Sequence, residues 1–95
     1  MKANLSPHVT EVLREMCRRV DTDFNSVDFK ADNWYLEHQW TQAEEDDFTG
    51  WMARYLCANR SAWVEIVGPS VRKSLSRARK AAGKFVLNYG WKVER

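Results

Sequence analysis

At 95 residues the chain makes one domain, with little polypeptide to spare for a deep catalytic cleft. Its 44% hydrophobic and 29% charged content is that of an ordinary soluble globular protein, and no apolar run approaches the roughly 20 residues of a membrane span, so no membrane-spanning helix is expected. The net charge of +2 hides an asymmetry: residues 1–50 carry five Lys/Arg against eleven Asp/Glu, and residues 51–95 carry ten against two. Such a division points to a charged partner, or to halves that attract each other.

Five Trp within a 13% aromatic content let a small core bury much area with few side chains. The N-terminus shows no apolar signal segment, and Cys17 and Cys57 fall on or beside helical stripes. The expectation is a cytoplasmic protein whose reduced thiols serve packing.

In chain order, Ser6-Pro7 suits the start of a first helix over 8–20. Val9, Val12, Leu13, Met16, Cys17 and Val20 lie on one face of it at a period of 3.6. Residues 21–33 are polar, with Phe24, Val27 and Phe29 as isolated anchors, and predict a structured loop with a short helical turn. Asp32 is placed to cap a short helix over 33–38, which sets Trp34 and His38 on one side.

Thr41 and Glu44 form a capping-box pattern for a second helix over 41–58, and Glu44, Glu45, Asp46 and Asp47 sit where the helix dipole favours negative charge. Phe48, Trp51, Met52, Tyr55 and Leu56 line its apolar face, with Gly50 nearly opposite. Ser61 is read as the cap of a short, mostly buried third helix over 62–67, which Gly68-Pro69 stops. Ser70 is read as the cap of a fourth helix over 71–89. There Val71, Leu75, Ala78, Ala82, Phe85, Val86 and Tyr89 fall within roughly 60° of one direction. Gly90 then suits the position after the helix, and Trp91 is placed to fold back.

These elements predict an all-α protein: a compact bundle of three longer helices plus one short helix around an aromatic-rich core, in a single domain over 1–95.

Chemistry is sparsely signalled. His8, His38, Cys17 and Cys57 lack the paired spacing of a metal site, the glycines form no phosphate loop, and no nucleophile–base pair is set up, so no metal, cofactor or catalytic residue is expected. The fourth helix is more informative. Lys73, Arg77, Lys80 and Lys84 make a positive ridge flanked by Arg72 and Arg79. That pattern suits nucleic acid, an acidic protein surface or a plain solvated face. Leu87 on the same side is an exposed apolar spot that suits a protein partner better than phosphate. Trp34, Tyr35, Trp40 and Trp63 are candidates for a partner surface, and Glu44, Glu45, Asp46 and Asp47 for an acidic docking patch, against the plainer expectation of core and solvated first turn.

The blocks Asn33-Trp34-Tyr35-Leu36-Glu37-His38, Trp40-Thr41, Phe48, Trp51, Tyr55-Leu56 and Phe85-Val86-Leu87-Asn88-Tyr89-Gly90-Trp91-Lys92 resemble a family of small uncharacterised proteins of bacteriophages and bacterial mobile elements. The resemblance implies a small accessory protein that binds a host or phage factor, or nucleic acid, in a bacterial cell; with no catalytic motif in the sequence, the expectation is a non-enzymatic protein that binds a host or phage protein, in a takeover or anti-defence role. The alternative is a nucleic-acid-binding protein that uses the basic face of helix 71–89.

Overall fold

The structure is a computed structural model that describes residues 6–27 and 40–89. The expected helix over 33–38, with Trp34, Tyr35 and His38, lies outside the described residues, as do Gly90 and Trp91. The protein is all-α. Helices α1 (Pro7–Arg19), α2 (Gln42–Ala58), α3 (Arg60–Ile66) and α4 (Leu75–Tyr89) follow in order, with one 3-10 turn over Phe24–Ser26, and no strand occurs among the described residues. The Cα radius of gyration is 13.0 Å, as expected of a globular domain of this length.

Helix α1 buries Val12, Leu13, Met16 and Cys17, the middle of its predicted stripe. Ser6 stands at its N-cap but makes no side-chain cap. Glu65 of α3 takes that role, its Oε2 accepting from the His8 amide at 2.7 Å, so a carboxylate meets the positive end of the helix dipole. At the other end Asp21 turns left-handed (φ 53°), and the Thr22 amide reaches back to the Cys17 carbonyl at 2.9 Å, a Schellman-type stop. Asp23 then caps the 3-10 turn through the Asn25 amide, and the Arg14 guanidinium lies 4.9 Å from the centroid of the Phe24 ring.

Helix α2 starts as its sequence dictates. Glu44 N–H donates to Thr41 Oγ1 at 3.1 Å and Thr41 N–H to Glu44 Oε1 at 2.9 Å, the complete capping box. Phe48, Met52, Ala53 and Leu56 are buried on one side. Beside them runs a row of rings from Trp40 to Phe48 (5.5 Å), Trp51 (5.8 Å) and Tyr55 (5.4 Å), within the range of favourable ring pairs.

Two helix starts differ from the sequence expectation. Helix α3 is capped by Asn59, whose side chain accepts from the Ala62 amide, and not by Ser61. Ala62 and Trp63 are buried, but Val64 is exposed and Ile66 and Val67 are only half-buried, so α3 is less enclosed than its composition implies. Helix α4 begins at Leu75, four residues late. Its first turn is held by Ser74, whose Oγ accepts from the Arg77 amide at 3.2 Å. Ser70 therefore caps nothing helical, and Val71 and Leu75 stay exposed at 38% and 48%.

The principal seam lies between α2 and α4, while α3 packs on α1 and on α2. Helix α4 brings Ala78, Ala82, Phe85 and Val86 to it, all buried. Ala82 is fully enclosed, whereas a Cβ added to neighbouring Gly83 meets nothing within 4 Å. Two adjacent substitutions should thus act oppositely in urea unfolding. Ala82→Leu lowers stability by about 1–3 kcal/mol through overpacking. Gly83→Ala raises it by about 0.5–1 kcal/mol, because the helix loses a residue with excess unfolded-state freedom and meets no clash.

Candidate docking groove

The connection from α3 to α4 is irregular backbone, yet it is tied down at three points. Gly68 adopts φ 132°, a conformation that side-chain-bearing residues rarely take, and turns the chain away from α3. Buried Trp63 donates its indole N–H to the Val71 carbonyl at 2.9 Å. Lys73 Nζ donates to the Cys57 carbonyl at 2.7 Å, closing the C-terminal end of α2, where a cation is favoured. Arg77 Nη1 donates to the Arg72 carbonyl at 2.8 Å. These bonds fix one wall of a surface groove.

The groove holds about 420 Å³. Ile66, Val67 and Val71 line one side and Ala81 and Phe85 the other, so its floor is apolar. Arg77, Lys80 and Lys84 stand along it on the α4 side, and Asn88 closes the far end. Residues 77, 80/81, 84 and 88 recur at helical spacing, so this is a second stripe of α4 beside the seam with α2, and buried Phe85 lies on the border of the two. Among the described residues Arg77, Arg79, Lys80 and Lys84 form no ion pair.

The structure therefore divides the expected ridge. Arg77, Lys80 and Lys84 share the groove. Arg79 faces a shallow cleft against α2, lined also by Asp46, Thr49 and Gly50. Arg72 and Lys73 precede the helix, and Lys73 has a donor committed to Cys57, so the four-residue helical repeat that includes Lys73 does not form. Leu87 is 62% exposed, as its place on the polar side of the wheel implies.

The remaining candidates fare differently. Trp40 is buried at 6% against Phe48 and Trp63 at 1%, which corrects their place among surface aromatics; Trp34 and Tyr35 lie outside the described residues. Of the acidic group, Glu44 completes the capping box and Asp46 accepts from Gln42 Nε2 at 2.9 Å. Glu45 lies half-buried in the first turn, and Asp47 is paired with Arg19. Arg19 also bonds Glu15 Oε2 at 2.8 Å and lies 5.9 Å from the ring centroids of both Phe48 and Trp51. Burial opposes its charge, but the hydrogen bonds and charges of Glu15 and Asp47 outweigh that and hold its pKa above the ordinary arginine value. No disulfide joins Cys17 and Cys57. Among the described residues no three His, Cys, Asp or Glu side chains gather as a metal set.

One polar cluster has no local signature in the sequence. His8 Nδ1 meets the Tyr55 hydroxyl at 2.7 Å and Nε2 meets Ser61 Oγ at 2.8 Å, while Ser61 Oγ donates to Asn59 Oδ1 at 3.0 Å. With the Ser61 proton directed to Asn59, the chain runs from the Tyr55 hydroxyl to Nδ1 and from Nε2–H to Ser61. That leaves Ser61 unactivated as a nucleophile and makes His8 a tie between α1, α2 and α3. The contacts span 47 and 53 residues of sequence, beyond the reach of any local pattern.

Comparison with family models, with curated proteins and with solved structures finds no match to this chain.

Burial, then the charges of Glu11 and Glu65, raise the Tyr55 pKa above the ordinary tyrosine value. An acid whose folded pKa is raised contributes stability that is complete below its unfolded value and lost as pH climbs through the folded one. The unfolding midpoint should therefore begin to fall as pH rises past the ordinary tyrosine value of about 10, and Tyr55→Phe, which keeps the ring row, should flatten that fall. His8→Ala should cost about 1–3 kcal/mol in denaturant at neutral pH, by leaving Tyr55 and Ser61 short of a partner.

Proposed function

We propose that this protein works by binding rather than catalysis, and that it engages an acidic protein partner through the α3–α4 face. The observation that carries the proposal is the groove itself: an apolar floor beside Arg77, Lys80 and Lys84, none of them ion-paired among the described residues. Apolar floor and charged rim together are the anatomy of a protein interface, where buried hydrophobic contact supplies affinity and the rim supplies steering. Val71, in the groove lining, is 38% exposed, so this apolar surface is open to solvent. The resemblance to small phage and mobile-element proteins suggests a host or phage factor in a bacterial cell as the partner.

Nucleic acid is the second reading, favoured by the same row of cations. It is the weaker one because no ring among the described residues is fully exposed to stack on bases, and an apolar floor offers nothing to phosphate.

The test is affinity capture from bacterial lysate with and without nuclease. A specific protein should be retained in both arms, weakened by raised salt, and lost with Lys80→Glu combined with Lys84→Glu. Retention that disappears on nuclease treatment transfers the function to the second reading. Capture indifferent to the double charge reversal removes the groove from either.

A further inference from the structure

We infer that the groove receives one acidic amphipathic α-helix of the partner, laid along α4 with its apolar side chains on the floor and its carboxylates against Arg77, Lys80 and Lys84. The inference rests on the partner-binding proposal above and narrows the partner's chemistry.

Backbone satisfaction argues for a helix. The α4 wall is helical, with its backbone groups bonded along its own axis, so the stripe facing the groove is made of side chains. An extended segment on the apolar floor finds no strand edge among the described residues and leaves its own N–H and C=O groups without partners there. A helix carries its backbone bonds with it and presents only side chains, the helix-in-groove mode of recognition.

Length and charge argue for the pattern. From Arg77 to Asn88 the α4 wall runs about 16 Å, roughly three helical turns. The cations at 77, 80 and 84 recur about once per turn, so carboxylates spaced one turn apart on the flank of the occupant can each meet one. Leu-type residues at i, i+3/i+4 and i+7 of the same helix face the floor of Ile66, Val67, Ala81 and Phe85. The groove wall is also set in advance by the Trp63–Val71 and Arg77–Arg72 bonds, so little ordering entropy is lost on docking.

The experiment uses the full chain and fluorescently labelled probes read by anisotropy at low and moderate salt. The first probe is a designed peptide of about 14 residues with Leu on one helical face and Glu flanking it. The second has the same composition with Leu spread around the wheel. The third is a short duplex DNA. The expected result is binding of the first peptide about ten-fold or more tighter than the second. Affinity for the first should drop about ten-fold with Lys80→Glu plus Lys84→Glu, and again with Ala81→Gln, which fills the groove without changing charge. Should Ala81→Gln unfold the protein, Val71→Ser, on an exposed wall residue, reports the same loss.

Equal binding of the two peptides, weakened by Lys80→Glu plus Lys84→Glu but not by Ala81→Gln or Val71→Ser, overturns the helix inference and leaves charge-driven partner binding standing. Binding of duplex DNA alone overturns both in favour of nucleic acid, and binding of no probe overturns both outright. Concentration-dependent self-association abolished by Ala81→Gln assigns the groove to a second copy instead.

Discussion

The seam between α2 and α4 is the contact on which the rest of the molecule depends. Helix α4 brings alanine at 78 and 82 to it, one turn apart, and α2 buries Phe48, Met52 and Leu56 at the same period. Small side chains let large ones approach, so a short helix can bury substantial apolar area; at about 25 cal/mol per Å² such burial is the main favourable term in a domain this small. The seam also fixes the rotation of α4. Once Ala78, Ala82 and Val86 face α2, the stripe through Arg77, Lys80, Ala81 and Lys84 must face elsewhere, and the tied connection from α3 comes to lie beside it.

Helix α1 is held by a different kind of interaction. Its N-terminal end is joined to α3 by the Glu65 carboxylate on a backbone N–H, and to α2 and α3 by His8. Its C-terminal end is joined to α2 by Arg19, which pairs with Asp47 and lies beside the Phe48 and Trp51 rings. The acidic first half of the sequence is thus partly neutralised within itself: Arg18 and Arg19 meet Glu15, and Arg19 meets Asp47. The charge asymmetry seen in the sequence is not resolved by α2 acids bridging to α4 cations, and the positive face of α4 is left to solvent among the described residues.

Local signals in the sequence were legible wherever the deciding partner was a few residues away. The Thr41–Glu44 capping box and the Val12, Leu13, Met16 stripe are complete within one or two turns, and both appear as expected. The start of α4 is ambiguous in the sequence because Ser70 and Ser74 are equally good cap residues and Val71 continues the wheel. The choice is made by bonds from distant positions, Trp63 to the Val71 carbonyl and Lys73 to the Cys57 carbonyl, that hold 71–74 out of the helix. Ser61 lost its capping role to Asn59, and its hydroxyl went instead to His8, 53 residues away. The groove was invisible for the same reason. Ala81 reads as a filler between lysines, and Ile66 and Val67 read as core, until α3 and α4 are set side by side.

The charges of α4 make better sense as interface than as scaffold. The helix Leu75–Tyr89 contains no Asp or Glu. Arg77, Lys80 and Lys84 lie at spacings of three and four, where like charges cost about 0.2–0.5 kcal/mol per pair instead of gaining it. Arg77 and Arg79 sit near the N-terminal end, where the helix dipole disfavours cations. Helix α2 does the opposite, placing Glu44 and Glu45 where the dipole favours them. A sequence under no constraint but stability gains by putting a carboxylate at position 76 or 80 of α4, and this one does not. On the binding proposal, self-repulsion beside an apolar groove would be relieved when an acidic surface docks, so the energy that the free helix forgoes would become part of the driving force for the complex.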